Sequence, residues 1–488
     1  MEVDTIVARS TPPGRGALAV LRLSGPATGK VLEKVAPGLG APPPLRRPTL
    51  VRVVDPDDGS TLDRGLVTFF AGPASYTGED LAELSVHGGV LVSALVEEAC
   101  LRAGARRAEP GEFTRRAYLN GKLDLVQAEA VADMVDAESP ALHRTAVHQM
   151  DGGLSGRLAE LREALVELEA LLVHHIDFPE EDDPPVPVAT VLDRAGAVEA
   201  RMGRLLATAP EGELLREGAL AVLAGRPNTG KSSLYNALLG EERAIVTPTP
   251  GTTRDALEAR VQMGGFPFRL VDTAGIRPQA DEVERMGIEV ARRYLAGADV
   301  ILLCIPVDME WGEPEDAFVA EWARRVPVVL VRSCADRGSA AGEGTAAPVG
   351  EAGTVGEADT VWEAGTVREE DTVGAPDDAE AMAGRVTVSA RSGDGLDELR
   401  TLLGRLVFSG LVQMDADAPV LTRRRQREGV KGARAEVAAF RRALRDGVPA
   451  EAAVSHLRSA ETALEELLGV ISPEEILDQV FARFCIGK

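Results

Sequence analysis

Short apolar runs alternate with Gly/Pro punctuation through the first hundred residues: ALAVLRLSG, TLVRVVD, GLVTFF and LAELSVHGG. A period of two predicts strands, and the following LVSALVEEACLRAG predicts a helix closed by Gly104. Together they predict an α+β domain over residues 1–118. From Leu119 the period becomes helical, in LDLVQAEAVADMVDA and then RLAELREALVELEALLVHHID, whose apolar residues fall at i, i+3, i+4 and i+7 until the Pro-rich FPEEDDPPVP. This first helical stretch is taken as 119–214. A second alternation starts at Glu217: apolar runs ALAVLAG, FRLVDTAG, ADVILLCIPV, VPVVLV and RVTVSAR are separated by helix-like segments. That is the pattern of βαβ units and a mostly parallel sheet, assigned to 215–405. The remainder, 406–488, is helical again, with amphipathic stretches at 423–445 and 451–468. The two helical segments are free to pack together around an inserted α/β unit.

One stretch fits no element. Between Glu351 and Gly374 a hexad recurs four times, EAGTVG, EADTVW, EAGTVR and EEDTVG. It is acidic, poor in large apolar residues and too short per unit for a solenoid, so 338–384 is expected to be a disordered surface-loop insertion. Its charge matters for the whole: residues 351–380 hold ten acids against one Arg, −9 of a net −24 over 488 residues. TRRRQREGVKGAR (422–434), by contrast, is strongly basic, so the acidic sum does not exclude a nucleic-acid partner. RRRQR is read either as a grip on RNA phosphates or as a solvated helix face. Aromatic content of 4% gives no sign of a base-stacking platform.

The start, MEVDTIVARS, is acidic where a signal peptide would be basic, and the longest apolar run, Ala298 to Val307, is far short of the ~20 residues that span a bilayer. A cytoplasmic protein without membrane contact is expected. Four cysteines, Cys100, Cys304, Cys334 and Cys485, lie far apart without metal-ligand spacing, so reduced thiols are expected.

AVLAGRPNTGKSSLYNALLG supplies strand, glycine loop and helix in order. Gly225 to Ser232 satisfy G-x-x-x-x-G-K-S, in which backbone N–H groups cradle phosphates, Lys231 reaches their terminal oxygens and the Ser232 hydroxyl can ligate Mg²⁺. GTTRD (251–255) offers Thr253 as a second Mg²⁺ hydroxyl. LVDTAG (270–275) sets Asp272 at a strand end to hold the metal's water, and Gly275 can pivot a switch. In this order and spacing the three mark a GTPase. The water-positioning Gln found after D-x-x-G in many such enzymes is absent: Ile276, Arg277 and Pro278 follow. Asn228 either braces the loop or, with the Thr-rich VTPTPGTT (246–253), holds a monovalent cation that neutralises developing charge.

DTIVARSTPPGRGALAVLRLSG, TGEDLAELSVHGG, PGEFTRRAYLNGKLDLVQAEAVADMVDA, IDFPEE, the nucleotide motifs, DEVERMGIE and FCIGK together resemble the tRNA-modification GTPase family MnmE, also called TrmE, over nearly the whole chain outside 338–384. The resemblance implies an N-terminal α+β folate-binding domain that dimerises, a helical domain, and an inserted Ras-like P-loop G domain. With an FAD-dependent partner of the MnmG type, in a hetero-oligomer, such proteins modify carbon 5 of the wobble uridine of certain tRNAs. A tetrahydrofolate derivative supplies the one-carbon unit, glycine or ammonium the nitrogen, and K⁺-stimulated GTP hydrolysis the conformational drive; FAD enters only through the partner. By motif match, K⁺ would be held by Asn228, Thr247, Thr249 and Thr252, and Mg²⁺ by Ser232 and Thr253. Glu284 would orient the water through a bridging water, with Lys231 and Asp272 as its catalytic companions. GTP would contact Asn228, Thr229, Gly230, Lys231, Ser232, Ser233, Thr247, Thr252, Thr253, Asp272, Thr273, Ala274, Gly275, Asp336, Ser389 and Ala390. Folate would contact Arg22, Glu83, Lys122 and Lys488, a carboxylate for the donor edge of a pterin and cations for its glutamate tail. Cys485 is expected to be a packed thiol, with a reactive one as the other reading; His87 in VHGG either acts or caps a turn.

Most G domains end the strand after ADVILLCIPV in N-K-x-D, and that register here is Ser333-Cys334-Ala335-Asp336. Asp336 can still accept two hydrogen bonds from the donor edge of guanine, and VSARSGDG (388–395) keeps the Ser389-Ala390 contact. Loss of the Lys stem over the base and of the bracing Asn, about 1 kcal/mol each, predicts affinity down roughly ten- to a hundredfold with guanine selectivity kept, unless Arg332 stacks in compensation. Two other classes compete with the modification enzyme: a GTP-regulated, RNA-binding ribosome-assembly factor, which would not need FCIGK or TPPGRG, and a pseudo-GTPase scaffold, against which the complete phosphate and magnesium residues count.

Overall fold

The alternation in ALAVLRLSG is realised as a strand that buries Ala19, Leu21 and Leu23 completely and leaves Val20 and Arg22 half-buried on the other face. The computed structural model describes residues 4–177, 186–241, 258–273, 281–336, 382–415, 417–471, 474–482 and 484–487. They divide into two units, Met1–Asp136 with Thr145–Ala207 and Asp417–Lys488, and Ala137–Arg144 with Thr208–Ala416.

The chain opens with β1 (Ile6–Arg9), β2 (Leu18–Ser24), α1 (Thr28–Val35), β3 (Thr49–Val54), β4 (Thr61–Phe70), β5 (Leu81–His87), α2 (Val90–Ala103), β6 (Arg106–Arg107), α3 (Glu112–Leu119) and α4 (Leu125–Asp136). The strands form one sheet in the order β3-β4-β5-β2-β1-β6, antiparallel except where β6 joins β1. Helices α1 and α2 cover one face, over a core that includes Leu21, Leu23, Val53, Leu84, Val96 and Cys100. Burial, with the Glu97 charge second, pushes the Cys100 thiol up to about 12, so it behaves as a small core hydrophobe. Helices α5 (Pro140–Met150), α6 (Gly153–Asp177) and α7 (Val188–Ala207) follow. In α6 the helical period buries Leu154, Leu158, Leu161, Leu165, Leu168 and Leu172.

The second unit runs through α8 (Ala209–Glu217), β7 (Ala219–Ala224), α9 (Lys231–Glu241), β8 (Glu258–Met263), β9 (Phe266–Asp272), α10 (Asp281–Ala296), β10 (Val300–Pro306), α11 (Glu313–Trp322), β11 (Val328–Ser333), β12 (Gly384–Thr387), α12 (Leu396–Val407) and α13 (Ser409–Gln413). Its sheet has the order β12-β11-β10-β7-β9-β8 and is parallel apart from the β8–β9 hairpin. Every residue of β7 and β10 is buried, as expected of central strands covered by helices on both faces. The apolar pattern misses β8, an edge strand that buries only Val261 and Met263.

Helices α14 (Arg424–Arg445), α15 (Ala450–Leu468) and α16 (Glu474–Phe481) return the chain to the first unit. What fastens α14 to α4 is polar. Arg425 donates from Nε and Nη2 to the two Glu129 carboxylate oxygens, both at 3.0 Å, and Gln426 Nε2 donates to Oε2 at 2.9 Å. Beside them Arg423 Nη2 donates to Asp133 Oδ1 at 2.6 Å and to the Glu129 carbonyl at 3.0 Å. Glu129 is 2% exposed and Asp133 3%. This corrects one reading of the basic RRRQR run: the guanidiniums of Arg423 and Arg425 are engaged by buried acids and are not free for an RNA. Burial alone would raise the Glu129 carboxyl; the charges of Arg425 and Arg423 and the hydrogen bonds from Arg425 and Gln426 overcome it and hold the group below the usual range.

Because that pKa is depressed on folding, the stabilisation is present above the ordinary Glu range and is lost as pH falls through the folded value. Glu129→Ala leaves the buried Gln426 amide and the half-buried Arg425 without their carboxylate acceptor and should destabilise the chain on the order of 3 kcal/mol in denaturant unfolding. The gap between wild type and Glu129→Gln should close as pH is lowered; a gap independent of pH contradicts the charge assignment.

Candidate functional site

In the second sheet β7 has β9 on one side and β10 on the other, so the crevice at its carboxyl end is the point where the order of connection reverses, the usual ligand position in such sheets. Gly225–Ser232 fill that edge between β7 and α9. Gly225 has φ +134°, and a Cβ there would lie 2.5 Å from the Cys304 carbonyl oxygen, so only glycine lets the loop press against β10. Asn228, at φ +63°, turns the exposed tip. Lys231 is 4% exposed, and its ammonium donates to the carbonyls of Gly225 at 3.0 Å and Arg226 at 2.5 Å. The loop's own backbone therefore holds the cation beside the N–H groups that would cradle phosphate. Ser232 Oγ donates to Asp272 Oδ2 at 2.6 Å, so two of the expected magnesium-site residues meet, and Thr273 Oγ1 donates to the Leu223 carbonyl at 2.7 Å, pinning the end of β9 to β7. Burial first, and the Asp272 charge second, raise the neighbouring Tyr235 phenol. Ser233 is exposed beside Ser232 on α9.

Two straps hold the loop from outside, and neither is evident in the motif. Arg226 forms a bidentate ion pair with buried Glu315, Nε to Oε1 at 2.6 Å with Nη2 on Oε2, and that carboxylate also accepts the Gly312 N–H at the start of α11. From β11, Ser333 Oγ donates to the Thr229 carbonyl at 2.6 Å. This corrects the expectation that the brace is lost with the Asn: the shorter serine supplies it because the end of β11 lies directly against the loop. Cys334, at φ +60°, places its sulfur 3.4 Å from where a Cβ on Gly230 would stand. Arg332 does not lie free to cover a base; it donates to the carbonyls of Val307 at 2.9 Å and Met309 at 3.2 Å. Asp336 is exposed, and Ser389 Oγ reaches its Oδ1 at 3.4 Å, while Ala335 N–H donates to the Val388 carbonyl, so the loops bearing Asp336 and Ser389-Ala390 come together. Thr247, Thr249, Thr252, Thr253, Ala274, Gly275, Lys488 and the hexad repeat lie outside the described residues, and Glu284 enters only as a backbone position in α10.

In the first unit Arg22 and Glu83 face each other across β2 and β5, Nη2 to Oε1 at 2.7 Å. The guanidinium lies 5.4 Å from the Tyr76 ring centroid and 5.7 Å from that of Phe113, an aromatic bed that fixes its direction. Burial raises the Tyr76 phenol, which shares a hydrogen bond with Thr114. Lys122 Nζ donates to the Pro73 carbonyl at 3.2 Å. The FCIGK segment is tied to the start of the sheet: Ser10 Oγ donates to the Gly487 carbonyl at 3.0 Å, and a Cβ on Gly487, at φ +93°, would fall 2.4 Å from the Arg9 carbonyl oxygen. Cys485 is exposed, correcting the expectation of a packed thiol; Phe484, its ring tilted against that of Phe481 at 5.5 Å between centroids, does the packing instead. His87 uses both its backbone N–H and Nδ1 on Asp63, at 2.8 and 2.7 Å.

The chain matches the model of the MnmE helical domain over residues 125–485 and that of the GTP-binding protein TrmE N-terminus over residues 5–122. Curated relatives agree along their whole length. The tRNA modification GTPase MnmE of Azoarcus sp. is 42% identical over 494 residues, 99% of this chain and 98% of its own. That of Moorella thermoacetica is 39% identical over 493 residues, 99% of each, and that of Methylorubrum populi 41% over 488, 99% and 98%. With identity of this degree from end to end, and with the lysine and serine of a phosphate loop assembled beside the aspartate that ends β9, the chain belongs to the MnmE family of tRNA-modification GTPases.

Proposed function

We propose that this GTPase couples K⁺-stimulated GTP hydrolysis to modification of carbon 5 of the wobble uridine in certain tRNAs, using a folate one-carbon unit and an FAD-dependent partner of the MnmG type. The observation that carries the nucleotide part is the meeting of Ser232 and Asp272 at 2.6 Å beside a buried Lys231. Two oxygens so close suit a small, hard cation; Ser232 with Thr253 would hold Mg²⁺ and Asp272 its water. Magnesium, when bound, neutralises phosphate charge. Lys231 releases its two carbonyls to take phosphate oxygens, a short move because its donors already point along the loop. Asn228 at the tip, with Thr247, Thr249 and Thr252, would hold K⁺, and Glu284 would orient the attacking water. Guanine is selected by Asp336 with Ser389 and Ala390.

For folate, Glu83 gives up its pairing with Arg22 to the donor edge of a pterin, and Arg22, Lys122 and Lys488 serve the carboxylate tail. An exposed apolar pair supports the homodimer through the N-terminal domain: Leu50 on β3 and Leu66 on β4, directly opposite each other and 70% and 43% exposed. Among the described residues no helix is long and apolar enough to cross a membrane; we read the chain as cytoplasmic.

Mass spectrometry of tRNA nucleosides from cells lacking the gene should show the wobble uridine unmodified, restored by the wild-type chain and not by Lys231→Ala; unchanged nucleosides in the deleted cells overturn the reading. Removing the β11 strap with Ser333→Ala should weaken GTP binding by about 1 kcal/mol, roughly fivefold, with little change in kcat. Asp336→Asn exchanges acceptors for a donor and an acceptor, so displacement assays should show guanine preference falling and xanthine nucleotides gaining; a variant that still prefers GTP contradicts the role of Asp336.

A further inference from the structure

Helix α14 carries eight basic residues and two acids, whereas α15, packed beside it, carries four acids and one Arg. In a chain of net charge −24 this is a separation of sign between neighbouring helices. Carboxylate pairing and exposure together sort the α14 cations into three kinds. Arg425 is spent on Glu129, as described. Arg434 and Arg441 lie over α7, where Gly203 and Gly196 leave them room and Glu199 pairs with both. Of the rest, Arg424, Lys431, Arg442 and Arg445 are exposed, and Arg427 is half-buried and shares Glu428 with Lys431. Among the described residues Arg424, Arg442 and Arg445 have no carboxylate within ion-pair distance.

At 100° per residue, Arg424 and Arg442 share one direction, with Lys431 about 20° and Arg445 and Arg427 about 60° to one side. From Arg424 to Arg445 the line runs about 32 Å at 1.5 Å per residue. A straight row of exposed cations, three of them guanidiniums, matches a polyanion with regularly spaced charges, and arginine's planar fork suits phosphate oxygens better than a lysine point charge. Sequence order hides this row, because the conspicuous RRRQR run supplies only Arg424 to it.

We propose that the solvent face of α14, through Arg424, Lys431, Arg442 and Arg445, is a docking surface for the phosphate backbone of tRNA. The inference rests on the family's tRNA substrate and names where this chain grips it. Contacts of this kind position the RNA without reading its bases, so the surface serves every substrate tRNA alike.

The test uses the full chain with Arg424→Gln, Lys431→Gln, Arg442→Gln and Arg445→Gln combined, and unmodified tRNA transcripts in fluorescence anisotropy across a salt series. Affinity at 0.1 M salt should fall about tenfold or more, and the slope of log K against log salt should become shallower by about 3, since each phosphate contact contributes about 0.7–0.9. GTP hydrolysis should be retained, which shows the chain folded, and replacing the three arginines by lysine should keep most of the slope. Unchanged affinity and slope in a variant that still hydrolyses GTP overturn the proposal. So does a variant that binds tRNA normally but loses an acidic protein partner, which would give the row to a protein interface. Wild type that modifies tRNA in cells yet shows no salt-dependent binding overturns the docking surface while leaving the proposed function standing; unmodified nucleosides are the separate test of that function.

Discussion

The helical part of this protein depends on one buried ionic cluster. Glu129 and Asp133, one turn apart on α4, meet Arg423, Arg425 and Gln426 at the start of α14, across separations of 290 to 297 residues in the chain. Two carboxylates at 2% and 3% exposure are tolerable only if each is met by charge and hydrogen bonds together. An apolar seam would tolerate sliding of α14 against α4, whereas a bidentate arginine on a carboxylate fixes both register and direction. The nucleotide unit can therefore be inserted between α7 and α14 without loosening the helices that flank it in sequence.

A similar economy governs the phosphate loop. Its glycines let it approach β10, and conformational freedom of that kind has to be constrained from elsewhere. Glu315 on α11 and Ser333 on β11 supply the constraint, one through the Arg226 side chain and one through the Thr229 carbonyl. The loop thus reaches the geometry of an anion cradle before a ligand arrives, and the ligand is left to drive the exchange of the lysine's two backbone carbonyls for phosphate oxygens.

What could be read from the sequence was local. The strands, α2, α6 and the phosphate loop each announce themselves within a window of a few residues, through a period of two, a period near 3.6, or a run of glycines. The edge strand β8 escaped because it buries only Val261 and Met263 and offers little apolar pattern. The replaced N-K-x-D motif suggested a lost brace, since a motif compares residue types and cannot see that the end of β11 lies close enough for a serine hydroxyl to span the gap. RRRQR suggested one exposed patch for a related reason: charge order carries no burial, and the acids that engage Arg423 and Arg425 lie nearly three hundred residues earlier. Cys485 was misplaced because its neighbour Phe484 fills the packing position.

The contact between Ser10 and Gly487 has a consequence for biosynthesis. These residues are 477 positions apart, yet Gly487 is wedged against the backbone of Arg9 at the rim of the first sheet. A nascent chain can lay down all six strands of that sheet early in translation, but the contact that packs against Arg9 forms only when ribosomal synthesis has passed Gly487. Products terminated before Gly487 would carry all six strands of the sheet, which lie within Ile6–Arg107, but would lack the Ser10–Gly487 hydrogen bond beside β1.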